Sequence, residues 1–122
     1  MPHCIIECPA DLARIVNFDV LVEAVHDAAE ASGLFNKGDV KARLVLANHY
    51  RVGGKRAPYV HTSVQLLSGR SELQKKALAD AVAKAVCELL PQVDMISVEV
   101  RDIEKRFYSN RAAVADGQSV AS

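Results

Sequence analysis

The hydrophobic pattern of this 122-residue chain switches from period two to helical period and back, and does so twice. A chain with that pattern has few folds open to it. Residues 2–8 alternate, with Cys4, Ile6 and Cys8 on one side and His3, Ile5 and Glu7 on the other. An irregular stretch follows Pro9, and then Leu21, Ala24, Val25 and Ala28 predict a helix from Phe18 to Ala31. Ser32-Gly33 ends it, because glycine accepts the left-handed conformation at a helix C-terminus. Alternation returns at about 40–49, where Ala42, Leu44 and Leu46 oppose Lys41, Arg43, Val45 and Ala47.

The second round starts after the turn-rich run Arg51-Val-Gly-Gly-Lys-Arg-Ala-Pro58. A third strand is predicted at about Tyr59–Leu67, with Val60, Thr62, Val64 and Leu66 on one face. A helix runs from Glu72 to about Leu90, opened by a Ser71/Gln74 capping box and closed near Pro91. Its expected apolar stripe is Leu73, Ala77, Leu78, Ala81, Val82, Ala85, Val86 and Leu89. A fourth strand spans about Met95–Ile103, and a small polar tail follows Asn110.

The expected architecture is a single domain over 1–122, an α/β two-layer sandwich built as a tandem β-α-β repeat. Repeat one covers about 2–57, repeat two about 58–108, and the tail about 109–122. Two helices cover one side of the sheet. The other side would carry Glu7, Lys41, Arg43, His61, Gln65, Glu99 and Arg101. Such alternation describes either a solvated sheet surface or a hydrated interior formed by oligomerisation.

Composition narrows the function. Fifteen Lys+Arg balance 15 Asp+Glu, so nucleic acid and anionic membranes are not expected partners. No apolar run approaches the roughly 18 residues of a membrane span. The expectation is a soluble, cytoplasmic domain. Cys4, Cys8 and Cys87 form no disulfide framework and are read as ordinary reduced, buried thiols. Asp11, Asp39, Asp94 and Asp102 have no metal-ligand spacing, and phosphate-loop, dinucleotide and nucleophile-elbow motifs are lacking. No metal and no cofactor are expected.

Four residues stand out as candidates. Met1-Pro2 favours removal of the initiator methionine, which would make Pro2 a terminal secondary amine; an internal proline nitrogen is an amide without basicity. α-Amines titrate not far above neutrality, so such a group can act as a general base. Arg70, in Ser68-Gly69-Arg70-Ser71, precedes the second helix and could clamp a carboxylate with its planar fork. Lys41 and Arg43 would add cations on the uncovered sheet face. His3 and His61 are read as structural hydrogen-bonding residues.

Taken in order, the Met-Pro-His-x-Ile-x-Glu-Cys start, Gly33-Leu34-Phe35, Lys41-Ala42-Arg43, Val60-His61 and Gly69-Arg70-Ser71 resemble 5-carboxymethyl-2-hydroxymuconate isomerase. That family belongs to the tautomerase superfamily, and the resemblance runs from Pro2 to about Val114. It implies a homotrimer with sheets inside and helices outside. It also implies cofactor-free proton transfer on an unsaturated 2-hydroxy or 2-oxo dicarboxylic acid derived from homoprotocatechuate. Pro2 would be the base, and Arg70 and Arg43 would hold carboxylates. Lys41 stands where the family has the first arginine of an Arg-x-Arg pair; a lysine offers a point charge without the fork. Other expected outcomes are hydration or dehalogenation of a substituted acrylate on the same scaffold, or a non-enzymatic trimeric binding protein.

Overall fold

The computed structural model describes residues 1–116. Its strands are β1 (His3–Pro9), β2 (Lys41–Ala47), β3 (Tyr59–Leu67) and β4 (Met95–Ile103). Its helices are α1 (Phe18–Ala31), α2 (Glu72–Leu89) and a short α3 (Arg111–Asp116). Short 3-10 turns occupy Ala10–Arg14 and Lys105–Phe107. The strands form one sheet in the order β2-β1-β3-β4. Helices α1 and α2 each connect a parallel pair, β1 with β2 and β3 with β4, while β1 and β3 meet antiparallel at the centre. The observed fold is thus the expected tandem β-α-β sandwich.

Local chemistry starts and stops the helices where the sequence indicates. Asn17 caps α1, its Oδ1 accepting from the N–H groups of Asp19 and Val20 at 2.9 and 3.3 Å. Gly33 follows α1 with φ of 75°. Ser71 and Gln74 exchange the two bonds of the capping box at α2, at 2.9 and 3.1 Å.

The core lies between the helices and one sheet face. Cys4, Ile6, Cys8, Val60, Thr62, Val64 and Leu66 pack there against Leu21, Val25, Ala29, Leu78, Val82 and Val86. Two expectations are corrected, at Leu73 and at Cys87. Leu73 is 84% exposed rather than part of the α2 stripe. Five residues separate it from Leu78, which turns it about 140° away from the buried row. Cys87 is exposed, whereas Cys4 and Cys8 are buried, and burial pushes both of those thiols up to about 11. Part of the tail, residues 111–116, is helical, though none of its residues is buried; residues 117–122 lie outside the described part.

The uncovered face bears the expected polar residues, and they interact across strands. His61 places Nε2 2.8 Å from a Glu99 carboxylate oxygen and Nδ1 2.7 Å from Ser97 Oγ. Tyr59 donates to Glu7 at 2.7 Å, and burial, followed by this bond, pushes its hydroxyl up to about 12.

Candidate functional site

Strand direction decides which of the candidate residues come together. Because β1 and β2 are parallel, His3 pairs with Lys41, and the Lys41 N–H donates to the Pro2 carbonyl at 3.1 Å. Because β1 and β3 are antiparallel, His3 also pairs with Gln65, so β3 leaves the sheet at the end where β1 enters. The chain then turns through Gly69, whose φ of 128° suits glycine, and delivers Arg70 to the start of α2. Pro2, Lys41 and Arg70 therefore converge at one end of the sheet from three separate segments.

A cavity of about 230 Å³ opens at this end, lined by Met1, Leu34, Phe35, Asn36, Asp39 and Arg70. Gly33 turns the chain out of α1 and brings Leu34 and Phe35 to it. Arg70 is anchored by donating to the Leu34 carbonyl at 2.8 Å and the Leu67 carbonyl at 3.3 Å. Its guanidinium lies over the Phe35 ring, 5.2 Å from the centroid. These contacts fix the plane of the fork and leave its remaining N–H donors for an anion. Lys41 Nζ donates to the Asp39 carbonyl at 2.8 Å.

The described chain carries Met1, so the free amine here is that of Met1. Its pKa is lowered from 8.0, first by burial and then by the Lys41 charge and a hydrogen bond with Lys41; Arg70 adds to this, and Asp39 opposes it. The Met1 amine is thus held toward its neutral, proton-accepting form. Pro2 itself is buried.

Arg43 takes a different position. It is exposed on the uncovered sheet face, with Nη1 2.9 Å from His3 Nδ1, and it does not line the cavity. Sequence reasoning left out Leu34, Phe35, Asn36 and Asp39. The Gly33-Leu34-Phe35 turn was visible, but nothing local connects it to Arg70, whose carbonyl partner lies 36 positions away.

Among the described residues, His26, Asp27 and Glu30 bring potential metal-ligand atoms within 4.8 Å of one another. They lie on α1 and take no part in the cavity at the β1 end. No described helix is long and apolar enough to cross a membrane.

A family profile described as 5-carboxymethyl-2-hydroxymuconate isomerase matches residues 2–116. No curated protein matches the sequence. Among solved structures, a 5-carboxymethyl-2-hydroxymuconate isomerase from Deinococcus radiodurans R1 is similar, with a TM-score of 0.80 and 22% identity over 90% of this chain and 88% of that one. A fused 4-OT symmetric trimer matches with a TM-score of 0.73 and 24% identity over 95% of this chain and 99% of that one. A member of the cis-3-chloroacrylic acid dehalogenase family matches with a TM-score of 0.75 and 16% identity over 98% and 83%. At these identities the structures establish the shared fold, while the profile covers nearly the whole chain. The chain belongs to the 5-carboxymethyl-2-hydroxymuconate isomerase family and is an isomerase.

Proposed function

We propose that this isomerase moves a proton along an unsaturated 2-hydroxy or 2-oxo dicarboxylic acid, with Pro2 as general base once Met1 is removed. 5-Carboxymethyl-2-hydroxymuconate, formed in homoprotocatechuate breakdown in the cytoplasm, is the natural candidate substrate. The observation that carries this reading is the meeting of the chain's first residues with Lys41 and Arg70 at one end of the sheet.

In the proposed reaction the neutral Pro2 amine takes the proton of the enol hydroxyl. The resulting ammonium returns a proton to a carbon further along the conjugated chain, and the 2-oxo group forms. Arg70 binds a carboxylate and stabilises the negative charge that develops on the oxygen. Lys41 and Arg43 attract the second carboxylate. Lys41 also favours the neutral amine, since a nearby cation disfavours a second positive charge. These steps use the chain's own residues, and no cofactor enters them. A homotrimer is part of the proposal, supported by the likeness to fused 4-OT trimers and by the charged, uncovered sheet face.

The test combines intact mass and N-terminal sequencing with a phenylpyruvate enol-keto assay. Loss of Met1 with measurable ketonisation supports the assignment. Retained Met1 without turnover removes the base and favours a binding role. Full activity in a correctly processed Pro2→Ala protein would also sink it.

A second reading has one residue in its favour. Lys41, in place of the family arginine, suits hydration or dehalogenation of a substituted acrylate, and the fold is shared with the cis-3-chloroacrylic acid dehalogenase family. Under this reading Lys41→Arg improves ketonisation of muconate-type substrates. An unchanged rate counts against Lys41 as the discriminating residue.

A further inference from the structure

We propose that His3 is a positioning residue: its Nδ1 holds the Arg43 guanidinium in place on the uncovered sheet face for a substrate carboxylate. This deepens the isomerase reading, since it concerns how that enzyme holds its dicarboxylate.

The geometry is specific. Arg43 Nη1 lies 2.9 Å from His3 Nδ1. A guanidinium only donates, so Nδ1 must present its lone pair and the imidazole proton must sit on Nε2. The bond therefore exists only while His3 is uncharged. In register, His3 opposes Lys41 on β2 and Gln65 on β3, while Arg43 opposes Ile5; the arginine reaches across the β1-β2 ladder to meet the ring.

The surroundings keep His3 in the state this role needs. The charges acting on it are those of Arg43 and Lys41 from β2 and the terminal amine from its own strand; Gln65 on β3 is neutral. Burial first, and then these positive charges, lower its pKa below 6.5. At neutral pH the ring is an acceptor, and acidification converts it into a cation that repels Arg43.

An exposed arginine samples many rotamers, and a ligand that uses it must first order it. A ring fixed in β1 removes much of that freedom beforehand. The consequence falls on affinity for the dicarboxylate rather than on proton transfer.

The experiment measures binding of muconate, an unsaturated dicarboxylate, by calorimetry, so it does not depend on turnover. His3→Ala is expected to weaken binding about tenfold near pH 8. His3→Asn, which places an amide oxygen close to the position of Nδ1, restores most of the affinity. In an Arg43→Ala background His3→Ala adds no further loss. Native affinity falls as pH drops through the His3 titration, and the His3→Asn protein lacks that step. In 15N NMR at neutral pH, His3 shows the neutral tautomer protonated at Nε2.

Native-like binding by His3→Ala overturns the proposal, as does an undiminished His3 effect without Arg43. So do an Nδ1-protonated tautomer and a native protein that does not bind muconate. Tighter binding on acidification would make His3 an added cation and overturn it too. Failure of the Pro2 assignment is read separately, from the turnover of Pro2→Ala, which leaves the His3-Arg43 pair intact.

Discussion

Pro2 opens the first repeat and Pro58 precedes the first strand of the second, and the antiparallel β1-β3 pair sets them at opposite ends of the sheet. Each lies near the segment that joins the other repeat's first strand to its helix. At the Pro2 end that segment supplies Arg70 to the cavity of about 230 Å³. At the Pro58 end a cavity of about 260 Å³ is lined by Pro9, Asp11, Leu12, Arg14, Ile15, Tyr50, Arg56 and Pro58.

The two ends differ in what their charges do. In the second cavity Asp11 accepts from Tyr50 at 2.7 Å and from Arg56 at 2.8 Å, and the guanidinium lies 4.5 Å from the Tyr50 ring centroid. The Tyr50 and Arg56 bonds, in that order, hold the Asp11 carboxyl below its usual range. The cation there is matched by the protein's own carboxylate. At the Pro2 end Arg70 is held by backbone carbonyls and a phenyl ring, and among the described residues it forms no ion pair. Pro58 is an internal amide and cannot take a proton. A duplicated scaffold thus supplies two similar hollows, and only one combines a terminal amine with an unmatched guanidinium.

The largest expected effect separates the two prolines. Pro2→Ala should lower kcat/KM by about a hundredfold, the residual rate coming from the primary amine. Pro58→Ala should leave the rate within about twofold. Comparable losses from both would erase the distinction between the two ends.

The arginines come next. Arg70→Ala should lower kcat/KM by about thirtyfold or more, because a charge-assisted contact to the developing oxyanion is lost. Arg56→Ala should change it by less than about threefold, since its partner is Asp11. The measurement is steady-state ketonisation at matched folding, checked by circular dichroism.

A smaller effect sharpens the role of Lys41. The base must be neutral, so activity falls as pH drops through the amine pKa. Burial, and then the charge and hydrogen bond of Lys41, lower the pKa of the Met1 amine; on the proposed mechanism the same cation beside a Pro2 amine keeps the enzyme active to lower pH. Lys41→Gln should move the acidic limb of the kcat/KM profile upward. A limb that stays fixed would show that Lys41 does not tune the amine.

The smallest effect tests the self-neutralised cavity. Tyr50→Phe removes one donor to a half-exposed carboxylate and should change the melting temperature by about 2 °C or less, with activity intact. Asp11 has its pKa lowered in the folded state, so its contribution is present above the unfolded carboxylate pKa and lost as pH falls through the folded value. Tyr50→Phe should make that acid-side loss smaller. A large loss of activity would mean that the second cavity is functional as well.

Much of this protein was legible in the sequence, for a local reason. Periodicity places each residue on a face, so the element order, the buried row of Cys4, Ile6 and Cys8, and the charged sheet face could be read from it. The Asn17 and Ser71 caps are local hydrogen bonds: Ser71 could be assigned at sight from Gln74, while Asn17 followed from the structure. Pro2, Lys41, Arg43 and Arg70 could be singled out by residue type and context. Which of them meet at one end of the sheet could not, because that depends on strand order and direction. The parallel β1-β2 pair brings Lys41 to Pro2, and the antiparallel β1-β3 pair brings Arg70 to the same end. Arg43 meets His3 across 40 positions, and Arg70 meets Leu34 across 36. Periodicity tells each strand which side to bury, and only long-range pairing tells it which neighbour to meet and in which direction.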